Sequence, residues 1–172
     1  MARVLYPSWR GVFALAIALA SSAAVPAPDY PLLAHAAPDF ALHAFGGDNV
    51  RLSEHRGEVV LLAFWSSRCS TCGTQLADLN RTYMTYRSAG LEVYGISVEA
   101  GERSARDFAK AHRVDFPLLF DPEEEVSRRY EVDSLPMVIL VDRNGMIRDV
   151  QRDFAARDRA IYLHELRGLL NE

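Results

Sequence analysis

The chain has 172 residues, 49% hydrophobic and 24% charged, with a formal net charge of −4. That length suits one compact domain with an appendage. The mildly acidic balance excludes nucleic acid or an anionic membrane surface as the main partner.

Arg3 and Arg10 are the only charges in the first 24 residues. An apolar run from Val12 to Ala20 follows them, then the small residues Ser21-Ser22-Ala23-Ala24. This is the layout of a secretory signal cleaved after Ala24. An uncleaved anchor is the alternative, although the apolar run is shorter than the roughly 18–20 residues of a spanning helix. Both readings put the rest of the chain outside the cytoplasm, in a periplasmic or other extracytoplasmic space, because no positive residue follows until Arg51. Without residues 1–24, 17 basic residues face 23 acids, a net charge of −6.

Residues 25–37, with Pro26, Pro28 and Pro31 among alanines, are expected to form a flexible tether. A domain over 38–172 follows. Phe40 to His43 and Asn49 to Leu52 flank Phe45-Gly46-Gly47-Asp48, the pattern of an edge hairpin. Val59 to Phe64 is an unbroken apolar run, which predicts a strand buried on both faces. Beyond it Leu76, Leu79, Tyr83 and Tyr86 recur at helical spacing until Gly90. Leu91 to Val98 reads as a strand, Glu102 to His112 as a helix and Phe116 to Phe120 as a short strand. Asp121-Pro122 with Glu123 to Glu125 reads as a helix start, the acids complementing the dipole. Met137 to Val141 is the next buried strand, and Asn144-Gly145 turns the chain into Met146 to Gln151. A last helix is expected from about Asp158 to Leu170, packed through Ile161, Leu163, Leu166, Leu169 and Leu170. The alternation predicts a single α/β domain with a mixed sheet.

Both cysteines, Cys69 and Cys72, lie where the first buried strand runs into a helix. A bridge over so short a loop restrains the unfolded chain little, so a structural staple is a poor account of them. Zinc needs four ligands, and His35, His43, His55, His112 and His164 show no close paired spacing. Electron exchange fits better. A helix N-terminus favours thiolate at the outer sulfur, so Cys69 would attack a substrate disulfide and Cys72 would resolve the mixed disulfide.

The stretch Phe64 to Cys72, FWSSRCSTC, resembles the signature of thioredoxin-like proteins. The wider pattern resembles the TlpA, ResA and CcmG group of extracytoplasmic thiol-disulfide oxidoreductases. It includes Ala37 to Phe40, the VVLLAFW strand, Gly95 to Glu99, the FPLLFDP stretch and SLPMVILVDRNGMI. The resemblance implies a thioredoxin fold with a mixed central sheet, flanking helices, an N-terminal β-hairpin and an inserted strand–helix unit. It implies a cis bond before Pro136, with Leu135 and Pro136 facing the cysteines and pairing with the substrate chain. No cofactor is implied. The implied partners are protein thiols and disulfides and a membrane or periplasmic redox donor, with membrane contact only through an N-terminal anchor.

Three positions depart from that pattern. Ala63 stands where thioredoxins keep a buried acid, and Gln75 where ResA-like proteins keep a glutamate. Arg68 replaces a common second Trp; its guanidinium either stabilises the Cys69 thiolate or points into solvent. Trp65 reads as the floor of the site, with a substrate platform as the less common role. Two other chemistries bear comparison. A peroxiredoxin-like thiol peroxidase would use Ser66, three residues before Cys69, but would carry Pro where Leu62 stands. A Cu(I)-binding or metal-delivery module would need a third soft ligand, for which Met137 is the candidate.

Overall fold

In the computed structural model, residues 30–153 and 159–172 are described. The expected signal or anchor over 1–24, the first part of the tether and Asp158 lie outside them. Eleven strands and helices follow in chain order: β1 (Ala41–Ala44), β2 (Asn49–Arg51), β3 (Val59–Trp65), α1 (Cys72–Tyr86), β4 (Leu91–Ser97), α2 (Glu102–Ala111), β5 (Leu118–Phe120), α3 (Glu125–Arg129), β6 (Met137–Val141), β7 (Ile147–Gln151) and α4 (Arg159–Leu170).

One mixed sheet runs in the order β2-β1-β5-β4-β3-β6-β7. β3 is its axis, parallel to β4 from Val59↔Leu91 to Trp65↔Ser97 and antiparallel to β6 from Val60↔Val141 to Phe64↔Met137. Every β3 residue is buried, which is why the strand reads as a continuous apolar run and not as an alternating one. The two-residue period divides it between two cores. Val59, Leu61, Ala63 and Trp65 pack with Cys72, Leu76 and Leu79 of α1 and Tyr162, Leu166 and Leu169 of α4. Val60, Leu62 and Phe64 pack on the other face with Phe40, Tyr130, Met137 and Ile139. Gly90, at φ 92°, turns the chain from α1 back into β4, a conformation that suits glycine alone.

Four features differ from the sequence reading by more than a one-residue shift of an element's end. β5 starts at Leu118 because Pro117 has no N–H; its carbonyl accepts from Gly95 N at 3.0 Å instead. α3 starts at Glu125, not Pro122. The Asp121 carboxylate accepts from Val126 N (3.3 Å) and Ser127 N (2.9 Å), and Glu124 takes a left-handed φ of 52° just before the helix. In α4 Leu166 and Leu169 are buried and Leu163 and Leu170 pack partly buried against the same core, but Ile161 is 58% exposed. Tyr162 takes the core position one residue along, its hydroxyl satisfied by Thr82 Oγ1 at 2.8 Å. Finally, Tyr30 to Ala37 fall in the stretch expected to be a tether, yet they lie against the domain. Tyr30 is buried and donates to Tyr130 O at 2.6 Å. Ala34 N donates to Ile147 O, Ile147 N to His35 O and Ala37 N to Gly145 O, each at 2.9 Å.

Candidate active site

β3 ends at Trp65, and the chain then makes a tight passage before α1. Cys69 N donates to Ser66 O at 3.1 Å and Cys72 N to Cys69 O at 3.4 Å. The regular helix begins at Cys72, so Cys69 stands one turn ahead of it and not within its first turn. Cys69 and Cys72 are joined as a disulfide, with Cα atoms 5.4 Å apart. Cys72 is fully buried and Cys69 is half-buried. The pair therefore presents one reachable sulfur and one sheltered sulfur, the asymmetry that stepwise exchange requires.

Two features hold the passage in place. Glu99, buried just after β4, accepts from Ser67 N at 2.9 Å and Ser67 Oγ at 2.7 Å, with Ser104 Oγ at 3.3 Å on the same carboxylate. Ser66 Oγ accepts from Arg68 N at 3.2 Å. Charge-assisted bonds of the Glu99 kind are about twice as strong as neutral ones. Sequence reading quoted Glu99 only as the end of a motif; nothing local marks a carboxylate that acts 32 residues back along the chain.

The antiparallel register of β6 brings a second segment to this end of the sheet. Phe64 pairs with Met137, so Leu135 and Pro136 come level with Trp65 and Ser66 at the cysteine end of the sheet. The Leu135–Pro136 peptide is cis. Pro136 is buried, while Leu135 is half-buried and packs against both cores. Trp65 is wholly buried and stacks on Phe108 of α2, centroids 4.9 Å apart. It forms a floor with no exposed face.

Ala63 lies on the same face of β3 as Trp65, in the core that holds Cys72. Gln75 is buried one turn after Cys72, and no protein group bonds either end of its amide. Arg68 is exposed. Met137 is fully buried, but in the core on the opposite face of the sheet from Cys72. The sheet thus separates it from the sulfurs it would have to join as a Cu(I) ligand. Among the described residues no group of three or more His, Cys, Asp or Glu is placed to hold a metal ion.

His112 is the unforeseen neighbour. It caps the C-terminal end of α2, stacks on Phe108 at 4.1 Å and lies directly against Gly73, the residue after Cys72. In the sequence it was one of five scattered histidines. Only the packing of the end of α2 against Gly73 brings it next to the cysteine motif.

Comparison with known proteins agrees with this geometry. The chain is 33% identical over 114 residues to the thiol-disulfide oxidoreductase ResA of Geobacillus kaustophilus, covering 66% of each chain. It thus spans slightly less than two thirds of that relative's length. Among solved structures, a thiol:disulfide interchange protein DsbE from Chlorobium tepidum superposes with a TM-score of 0.75 at 30% identity, covering 78% of this chain and 95% of that one. The exposed lipoprotein thioredoxin Etrx1 of Streptococcus pneumoniae superposes at 0.66 with 25% identity, covering 74% and 98%. The AhpC/TSA family model matches residues 33–150. With its thioredoxin-like sheet and its cysteine pair at the end of β3, the chain belongs to the AhpC/TSA family.

Proposed function

We propose that the protein is a thiol-disulfide oxidoreductase that reduces disulfides of protein substrates outside the cytoplasm. The observation that carries this is the disulfide between a half-buried Cys69 and a fully buried Cys72 at the mouth of α1. In the reduced enzyme the Cys69 thiolate attacks a substrate disulfide, forming Cys69–S–S–substrate and releasing one substrate thiol. The Cys72 thiolate then attacks the Cys69 sulfur. The second substrate thiol leaves, and the enzyme is left with the Cys69–Cys72 bond. A dithiol donor must reduce that bond again. Leu135 and Pro136, level with the start of the cysteine passage, line the strip along which a substrate main chain would lie. Trp65 is the floor beneath it. An extracytoplasmic site is supported by the charge pattern of residues 1–24 and by the exposed lipoprotein among the structural relatives.

The peroxidase alternative draws little support from the site. Leu62, where that chemistry would want a proline, is buried in the core opposite Cys72, and Ser66 Oγ is bonded to the Arg68 amide. The Cu(I) reading loses the third ligand named for it, because Met137 lies across the sheet from Cys72.

Expression of Cys72→Ser in cells tests the proposal. Mixed disulfides to secreted proteins should accumulate at Cys69, dissolve on reduction, and be absent from the Cys69→Ser, Cys72→Ser double variant. A variant that captures nothing, or that still consumes peroxide at the wild-type rate, would overturn the reading.

A further inference from the structure

The exchange proposed above needs a group that takes the proton from the buried Cys72 thiol. The two positions from which relatives supply one hold Ala63 and Gln75, neither of which ionises. We propose that His112 is the proton acceptor for Cys72, working from a seat beside the first turn of α1.

Three observations fix that seat. His112 Nδ1 lies 3.1 Å from Phe108 O. A carbonyl only accepts, so Nδ1 carries the proton and Nε2 of the neutral ring is left with its lone pair. That Nε2 abuts Gly73: a Cβ there would collide with it and come within 2.6 Å of Cδ2. The ring is also held in place. It stacks on Phe108, 4.1 Å and 30° away, and Phe108 stacks on Trp65, 4.9 Å and 18° away. A column of three rings thus ties the imidazole to the floor of the cysteine site. His112 is half-buried, whereas Cys72 is fully buried, so the ring can pass a proton between a sheltered sulfur and water.

Among the described residues, the other charged groups of the neighbouring elements are paired or exposed. α1 carries no charged residue before Asp78, which pairs with Arg81 and Arg159. Asp115, in the loop beyond His112, is bonded to Asn80. The Glu99 carboxylate accepts from Ser67 and Ser104. Lys110, on the same helix, and Arg113, just beyond it, are exposed basic residues.

The step balances. The Cys72 S–H proton passes to Nε2, and the thiolate attacks the Cys69 sulfur. The Cys69–substrate S–S bond breaks as Cys69–Cys72 forms, and the leaving substrate thiolate takes the proton back from the imidazolium. General bases contribute typically 10²–10⁴-fold.

The inference rests on the exchange reading, and its test separates the two. A mixed disulfide between Cys69 and a small chromogenic thiol is formed, and its decay to the Cys69–Cys72 disulfide is followed from about pH 5 to 9. In the wild type the decay rate should rise through an inflection as pH increases. In His112→Gln the inflection should vanish, with decay at pH 7 slower by about tenfold or more. Gly73→Ala, which displaces the ring while favouring the helix, should slow decay in the same direction. Alkylation of Cys69 in Cys72→Ser should be nearly insensitive to His112→Gln. An unchanged rate, or a slower rate that keeps the inflection, would remove His112 from the proton path and leave the exchange reading intact. A wild type that forms no mixed disulfide would remove the exchange reading itself.

Discussion

Gln75 stands in the core one turn after Cys72, with both amide atoms buried and no protein partner. A buried polar group in that condition costs about 1–3 kcal/mol. Gln75→Met keeps the length and helix propensity of the side chain and removes both orphaned atoms. We expect it to raise unfolding stability by about 1 kcal/mol, seen as a higher urea midpoint at unchanged m-value. A lower midpoint would show that the amide finds a partner. At this scale the cysteine pair was legible, because a CxxC between an apolar run and a helical period has few other uses. His112 and Glu99 were not. Their relation to Cys69 and Cys72 comes from the end of α2 meeting Gly73 and from the residues after β4 reaching the cysteine passage, neither of which has a local signal. Arg68 left two readings open in sequence, and its exposure favours the solvent-facing one.

β3 and β6 could be read from continuous apolar runs because burial on both faces leaves no alternation to interpret. α4 was harder: Ile161 and Tyr162 are adjacent, and only packing against α1, through Thr82, decides that the tyrosine turns inward. β4 carries the clearest electrostatic strain. Its outer edge pairs with β5 only from Gly95 to Ser97, so Glu92 lies beyond the paired half, beside the start of β3. Burial there, and then the nearby Glu58, raise its carboxyl above the ordinary 4.5, partly offset by His55. A carboxyl raised on folding contributes its full stability below the unfolded value and loses it as pH rises through the folded one. At pH 7 the ionised Glu92 therefore works against the fold. Glu92→Gln should unfold at a higher temperature than wild type at pH 7, and the difference should close below about pH 4. A gap that persists at pH 3.5 would assign the effect to packing instead of charge.

The whole molecule is two cores divided by one sheet, and the second of them is closed by residues that lie ahead of the first strand. Tyr30 belongs to that core, with its hydroxyl on Tyr130 O and the Arg152 guanidinium 5.3 Å above its ring. The segment behind it follows the turn before β7 and its first residue through three backbone bonds and the Ala36↔Met146 bridge. Its proline and alanine content hid this, because composition reports how a chain behaves alone and not whether a groove awaits it. Removing a buried aromatic costs about 3–5 kcal/mol, and each lost backbone bond about 0.5–1.5 kcal/mol. Releasing the segment returns backbone entropy, which offsets part of that. A chain that begins at Pro38 should therefore be less stable than one that begins at Val25 by about 2–4 kcal/mol. The single change Tyr30→Ala should account for most of the difference, since the ring supplies the burial. Urea unfolding of the three chains decides the point. Equal midpoints for the chains starting at Val25 and Pro38 would mean that the second core closes without the strap. A large loss on truncation with none in Tyr30→Ala would place the stabilisation in the backbone bonds to the start of β7 and the turn before it.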